Sequence, residues 1–237
     1  MKVVVTLPTY NEAENIRDLI AELRGLACDP EVVVADDNSP DGTWKIVDEI
    51  SRNDAKVHLL RRMENKGRGY AGAAGFVKAL EMGADRIVEM DADFSHQPRF
   101  IPALLDASDG CDVVIGSRLV KGGEDVGRPL HRRVFTKFSC WFARTALGLK
   151  VRDANSGFRV FTGEAMKAID PGSMFSAGPS IVHEVFYKAR IRGQRFCEVP
   201  ITFVDRVRGT SSLSLGRLMD GWLKVLKLRW LGFAGRL

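Results

Sequence analysis

Short apolar runs alternate with amphipathic stretches along the first hundred residues. Val3-Val4-Val5-Thr6-Leu7 predicts a first strand, stopped by Pro8, which cannot donate to a ladder. Asn11 followed by Glu14 has the spacing of a capping box, and Ala13, Ile16, Leu19, Ile20 and Leu23 recur at helical spacing to about Leu26. Glu31 to Ala35 predicts a second strand. It is followed by Ser39-Pro40, an N-cap and N1 pair for a helix through Trp44, Val47 and Ile50. Val57–Leu60 and Arg86–Met90 predict two more strands, with a helix near Tyr70–Met82 between them. Repeated β-α units with short connections predict a mostly parallel sheet covered by helices on both faces.

The second half is less regular. Pro98 opens a helix with Phe100, Ile101, Leu104 and Leu105, and Asp112–Gly116 predicts a strand running into Ser117-Arg118. Residues 120–129 are Gly-rich and charged, the pattern of a mobile loop. A helix from about His131 to Leu147 places Val134, Phe138, Trp141, Phe142 and Thr145 along one side, with Gly148 as C-cap. Asp153–Arg159 predicts a turn entering a strand, Ile181–Ile191 a helix, and Gln194–Val204 a strand interrupted by Pro200. The organisation expected is one domain over 1–212 and a C-terminal segment over 213–237. In that segment Leu215, Leu218, Met219, Trp222, Val225 and Leu226 form one helical stripe. Arg217, Asp220, Lys224 and Lys227 lie opposite, with Arg229 and Trp230 near the end. Such a helix suits a membrane interface as well as docking on a core.

Composition narrows the class. With 237 residues and 45% hydrophobic content the chain can bury a real core. No apolar run approaches the ~18 residues of a membrane span, and the first residues turn polar too soon for a signal peptide. Cys28, Cys111, Cys140 and Cys197 are scattered without a C-x-x-C pair, which predicts reduced thiols and an intracellular chain. Charge is uneven. Residues 1–117 hold 13 Lys and Arg against 21 Asp and Glu, and residues 118–237 hold 22 against 9. The basic half is expected to meet an anion: nucleic acid, a phosphorylated substrate or an anionic membrane.

Candidate chemistry gathers where the predicted strands end. Pro8–Glu12, Asp36/Asp37 and Asp91/Asp93 all follow strands, and ligands of parallel sheets bind at those carboxyl ends. In an extended backbone Asp91 and Asp93 face one point, which suits a Mg²⁺ or Mn²⁺ completed by phosphate oxygens. A solvated polar turn is the alternative for a bare D-x-D. Gly67-Arg68-Gly69-Tyr70-Ala71-Gly72 matches the dinucleotide pattern G-x-G-x-x-G. Its context fails, because Met63 to Lys66 separate the strand end from the first glycine. His183-Glu184 has no second histidine at Tyr187, which removes the H-E-x-x-H metalloprotease pattern. No helix-turn-helix, zinc or RRM-like signature accompanies the basic charge, so nucleic acid is not expected as a partner.

Pro8-Thr9-Tyr10-Asn11-Glu12, Asp36-Asp37-Asn38-Ser39-Pro40-Asp41-Gly42-Thr43 and Asp91-Ala92-Asp93-Phe94-Ser95-His96, in that order, closely resemble inverting glycosyltransferases of the GT-A fold. Gly116-Ser117-Arg118, Ser156-Gly157-Phe158-Arg159 and Val199–Arg206 narrow the resemblance to dolichol-phosphate (polyprenol-phosphate) mannose synthases. It runs from Lys2 to about Ser212.

The resemblance implies that Pro8, Tyr10 and Glu12 border the nucleotide, that Ala35 and Asp37 hold base and ribose, and that Asp36 is support. It implies Mg²⁺ or Mn²⁺ on Asp91 and Asp93, with Ala92 against the nucleotide and Ser95 as a further, weaker ligand. Arg118, Arg132 and Thr136 match the acceptor-phosphate positions. Arg206 matches an arginine facing the donor diphosphate, which Arg118 also borders. Asp93, Arg118 and Arg206 form the implied catalytic set. The family pattern R-x-x-G-x-S-K departs here to Arg206-Val207-Arg208-Gly209-Thr210-Ser211-Ser212, so Ser212 stands where a lysine is expected and Arg208 is the candidate replacement. Residues 174–183 also look atypical, leaving sugar and nucleotide open.

The function implied is metal-dependent, inverting transfer of mannose from GDP-mannose to a dolichyl or polyprenyl phosphate; a related enzyme using another donor, such as UDP-glucose, is the alternative. A phosphate acceptor with a second pKa near ~6 is largely dianionic at neutral pH and needs no strong general base. That agrees with the arginine surplus of the second half. The partners implied are a nucleotide-sugar donor, the polyprenyl phosphate, a membrane surface and candidate small membrane subunits. The location implied is peripheral, on the cytoplasmic face of a membrane.

Overall fold

The structure, a computed structural model, describes residues 1–205, 215–235 and 237, and of 215–220 the backbone. β1 (Val3–Thr9), α1 (Ile16–Arg24), β2 (Glu31–Asp36), α2 (Thr43–Asn53), β3 (Val57–Arg61), α3 (Arg68–Glu81) and β4 (Arg86–Glu89) form the alternating first half. Then come α4 (Ile101–Ala107), β5 (Val113–Ser117), β6 (Glu124–Val126), α5 (Leu130–Leu147), β7 (Arg159–Thr162) and α6 (Gly163–Ile169). The chain ends with α7 (Ile181–Ile191), β8 (Phe196–Pro200), β9 (Thr202–Val204) and α8 (Leu215–Phe233).

Seven strands form one sheet in the order β3-β2-β1-β4-β7-β5-β8. β7 runs antiparallel to β4 and β5, and every other pairing in the sheet is parallel. Helices cover both faces, so β1 and β2 are apolar continuously instead of alternately. Along β1, Val4 joins Val33, Phe76 and Phe161 in the core on one face; Val3, Val5 and Leu7 join Leu19, Val32 and Val34 on the other. β1, β2 and β4 are parallel neighbours, so the loops after them share one rim, as the strand ends predict.

Several local expectations are corrected. The Asn11 box does not start α1: Asn11 is left-handed (φ 61°) and the N-cap is Asn15. Ser39 does not cap α2, whose N-cap is Gly42; its hydroxyl is taken by Asp36 instead. Residues 120–129 are not simply a loop, because β6 pairs in parallel with β9. α6 is too short to announce itself by periodicity, and is capped by Thr162 Oγ1 accepting from the Ala165 amide at 3.1 Å. The expectation of four reduced thiols fails for Cys111 and Cys197, which form a disulfide with a Cα separation of 6.0 Å. The pairing of β5 with β8 brings these distant residues together, which sequence spacing does not reveal. Among the described residues no helix is long and apolar enough to cross a membrane.

Candidate active site

The loop after β1 is stitched to the loop after β2. The Asn11, Glu12 and Ala13 amides donate to Ser39 Oγ, Thr43 Oγ1 and Asp41 Oδ2 at 3.0, 2.9 and 3.0 Å. Asp36, fully buried, accepts from Thr9 Oγ1 (2.8 Å), the Ser39 amide (2.8 Å) and Ser39 Oγ (2.6 Å). Burial alone would raise the Asp41 carboxyl, but the Thr43 hydroxyl and the Ala13 and Thr43 amides hold it below the usual range. The polar run 36–43 therefore fixes the shape of the rim. Tyr10 projects from it, exposed, while Pro8 and its register partner Ala35 are buried. Asp37 is buried as well; it pairs with Arg62 and accepts the Gly67 amide at 2.6 Å. Beside them a groove of about 500 Å³ opens between Tyr10, Asn38, Trp44, Arg61 and Lys66.

The loop after β4 is bent, not extended: Phe94 is left-handed (φ 59°) and Ser95 Oγ and its amide close on Asp93 Oδ1 at 2.5 and 3.0 Å. Ser95 thus orients Asp93, a role additional to the further, weaker ligand that the resemblance implies for it. Ala92 is buried beneath them. Asp91 is aimed by Arg68, whose two Nη atoms donate to Asp91 Oδ1 and Glu89 Oε1, each at 2.9 Å. Glu89 in turn pairs with Arg159, and both side chains are fully buried. Arg68, Glu89 and Arg159 so alternate in charge beneath Asp91, each charge meeting an opposite one.

Arg68 comes from the declined G-x-G-x-x-G run, and the glycine beside it has a packing role. The Gly69 amide donates to Ala177 O at 2.8 Å, and a Cβ there would overlap the backbone oxygen of Ser176. Gly157 leaves a comparable space at the carboxylates: a Cβ would lie 3.0 Å from Arg68 Nη2 and 3.4 Å from Asp91 Oδ2.

His96 joins this rim to a second patch. Its Nδ1 accepts the Asp91 amide at 3.1 Å, and its ring stacks on Phe158 and meets the edge of Phe203. Burial keeps it neutral more strongly than the nearby charges of Asp91 and Asp93 favour protonation, with Arg118 and Arg68 acting in the same sense as burial. Beyond it, Arg118 grips Asp153 with Nε and Nη2 at 2.8 and 3.2 Å and lies 4.6 Å from the Phe203 centroid. Burial alone would lower the Arg118 pKa, but Asp153 raises it. Arg132 pairs with Asp205 at 3.3 Å, and Thr136 Oγ1 donates to the Arg132 carbonyl at 2.9 Å. The predicted rim residues and the Arg118/Arg132/Thr136 set therefore adjoin through His96 and Phe203. Arg206, Arg208 and Ser212 lie outside the described residues. Arg68, Glu89, Arg128, Asp153 and Arg159 escaped the sequence reading. Only Arg68 and Arg159 had a signal there, each lying inside a motif read for another reason.

Asp91 and Asp93 fit a hard divalent cation. Among the described residues no three His, Cys, Asp or Glu side chains form a protein-only cage. Two carboxylate sources, with the space kept by Gly157, suit an ion that takes its other ligands from phosphate and water.

The model for "Glycosyl transferase family 2" matches residues 4–169. The chain belongs to glycosyl transferase family 2. An undecaprenyl-phosphate mannosyltransferase of Micrococcus luteus is 39% identical, over 100% of this chain and 99% of that protein. A polyprenol monophosphomannose synthase of Mycolicibacterium smegmatis is 37% identical, over 100% of this chain and 89% of that protein. Among solved structures, glucosyl-3-phosphoglycerate synthase of Mycobacterium tuberculosis with Mn²⁺, UDP and glucosyl-3-phosphoglycerate superposes with a TM-score of 0.68. That match covers 99% of this chain and 80% of the other at 20% identity, a likeness of fold. The glycosyltransferase thus has the GT-A-like fold, with its D-x-D on the rim where the sequence put it.

Proposed function

We propose that the enzyme transfers mannose from GDP-mannose to the phosphate of a polyprenyl or dolichyl phosphate, with inversion and with Mg²⁺ or Mn²⁺ on the donor. The observation carrying this reading is the adjacency of two anion-handling sites: a carboxylate pair suited to a metal–diphosphate, and an arginine patch across His96 and Phe203. The names of the two mannosyl-transferring relatives support the sugar and the lipid class.

In this reading Pro8, Tyr10, Glu12, Ala35, Asp37 and Ala92 line the nucleotide. Asp91 and Asp93 would hold the ion, with Ser95 fixing Asp93. The bound ion would supply charge neutralisation for the departing diphosphate. Arg118, Arg132 and Thr136 hold the acceptor phosphate. One of its oxygens attacks the anomeric carbon as the bond to the GDP oxygen breaks, so the electron pair leaves with the diphosphate and the centre inverts. The dianionic acceptor has no proton to lose, which leaves His96 free to remain neutral. Arg206 and Arg208, assigned from sequence, add positive charge at the leaving diphosphate in place of the lysine that Ser212 replaces.

The acceptor is a lipid, and the same helix that carries Arg132 and Thr136 shows a second face to solvent. Leu130, Val134, Phe138 and Trp141 are exposed along α5, as are Leu223, Leu226, Trp230 and Phe233 along α8, which packs beside it. These faces are suited to a peripheral site on a membrane, with the phosphate reaching Arg132 and the chain remaining in lipid. Labelled GDP-mannose, polyprenyl phosphate and Mn²⁺ should give label that extracts into organic solvent; EDTA should abolish this and added Mg²⁺ or Mn²⁺ restore it. Label that stays aqueous with GDP-mannose, UDP-glucose and other donors alike would overturn the lipid acceptor. Extraction only with a UDP-sugar would overturn the donor.

A further inference from the structure

Arg128 belongs to no motif, yet the fold delivers it to the arginine patch. It follows β6, whose pairing with β9 sets Val126 beside Val204 and so brings the 125–128 segment next to Phe203. Its Nη2 donates to Thr136 Oγ1 at 3.0 Å and its Nη1 to Asp125 Oδ2 at 3.0 Å. The guanidinium lies 5.5 Å from the Phe203 centroid, the same ring that Arg118 approaches at 4.6 Å. Thr136 Oγ1 therefore accepts from Arg128 while donating to the Arg132 carbonyl. Arg118 and Arg128 thus share the Phe203 ring, and Thr136 Oγ1 links the Arg128 guanidinium to the backbone of Arg132, whose own guanidinium pairs with Asp205.

This arrangement has an electrostatic cost. Burial lowers the Arg128 pKa, and the like charges of Arg118 and Arg132 lower it further, only partly offset by Asp125. The Asp125 pair is not fully satisfied either: Asp125 Oδ1 is buried without a hydrogen-bond partner, so the carboxylate is gripped at one oxygen only. Arg118 by contrast holds Asp153 with two donors. Arg118 and Arg132 lie close enough to Arg128 for their charges to oppose its own, and a cluster of like charge suits a doubly charged phosphate, whose oxygens can accept from all three.

We propose that Arg128 is a third arginine of the acceptor-phosphate site, binding the headgroup phosphate together with Arg118, Arg132 and Thr136. The inference rests on the polyprenyl-phosphate reading above and adds a residue to it. A phosphate monoester dianion has charge and oxygens enough for three arginines, whereas a diester has fewer of both, so Arg128 would favour the monoester.

The test is steady-state kinetics of the full chain and its R128M and R128K variants, with citronellyl phosphate as soluble acceptor and GDP-mannose as donor. R128M is expected to raise the acceptor KM about tenfold or more, the loss of one charge-assisted hydrogen bond, with the donor KM within about twofold of wild type. R128K, which keeps the charge but loses the planar fork, should fall between them. An unchanged acceptor KM in R128M, or donor and acceptor parameters worsening together without rescue by R128K, would overturn the role of Arg128. The lipid-phosphate reading would then still stand on wild-type turnover. No wild-type transfer to citronellyl or polyprenyl phosphate from any donor would overturn both. Should R128M fail to fold, R128K decides: a raised acceptor KM supports the assignment and an unchanged one removes it.

Discussion

His183 on α7 is half-buried, with its Nε2 2.9 Å from Asn155 Oδ1, while its Nδ1, itself out of contact with solvent, has no partner. Burial, reinforced by the Arg159 charge, lowers its pKa to about 4 from the ordinary 6.5. The folded protein therefore refuses a proton that the unfolded chain accepts. Stability is intact above about pH 6.5 and is lost as pH falls toward about 4, by about 3 kcal/mol in all. Between pH 7 and pH 5 wild type should lose about 2 kcal/mol more than His183→Gln, by urea unfolding of each at both pH values. Equal losses would show that His183 is not the titrating group. Residues of this kind were illegible in the sequence. His183 could be asked only whether it completed an H-E-x-x-H pattern; its burial against Asn155 depends on where the 153–158 turn passes α7. Asp91 and Asp93 were legible because two carboxylates at a strand end announce their chemistry locally. Arg68, which aims Asp91, was not, since its partners lie 21 and 23 positions away.

At the scale of elements, periodicity found α5 but not the direction it faces. Its large apolar side, Val134, Phe138 and Trp141, points outward, and the buried side is built from Thr136, Cys140, Ala143 and Leu147. Phe142 lies between, half-buried against Trp222 of α8. The stripe read on α8 divides in the same way. Val225 and Leu228 are buried and Trp222 meets Phe135, Phe138 and Phe142, whereas Leu226 is exposed with Leu223, Trp230 and Phe233. A helical wheel ranks faces by hydrophobicity, and here the more hydrophobic face is not the one the core takes. Exposed aromatic side chains on adjoining helices can be exchanged for charge without leaving a cavity. Trp141→Glu combined with Trp230→Glu should keep the melting temperature within a few degrees while lowering co-sedimentation with lipid vesicles about tenfold or more. Unchanged vesicle binding would return both stripes to ordinary surface, and unchanged binding of a chain truncated before Leu213 would return that of α8 alone.

Across the whole molecule, the fold turns an asymmetry of sequence into one of space. The net charge of −8 over residues 1–117 lies in the half that carries the D-x-D rim, and the +13 over 118–237 in the half that carries α5 and α8. In the proposed reaction a divalent ion sits on the acidic side and the acceptor phosphate on the basic side, each meeting the opposite charge. Around the outward apolar stripes Arg133, Lys137, Lys227 and Arg229 are exposed. Each basic side chain near an anionic bilayer contributes about 1 kcal/mol, and the attraction is confined to about one Debye length. That length falls from about 10 Å at 0.1 M salt to about 3 Å at 1 M. With four such side chains, partition onto vesicles containing anionic lipid should therefore exceed that onto zwitterionic vesicles about a thousandfold at 0.1 M salt. The excess should largely vanish at 1 M, while the remaining, salt-independent binding reports the apolar stripes. Co-sedimentation across both lipid compositions and both salt concentrations separates the two contributions. Equal partition onto the two vesicle types at 0.1 M would mean that the basic half serves the acceptor phosphate alone and takes no part in finding the membrane.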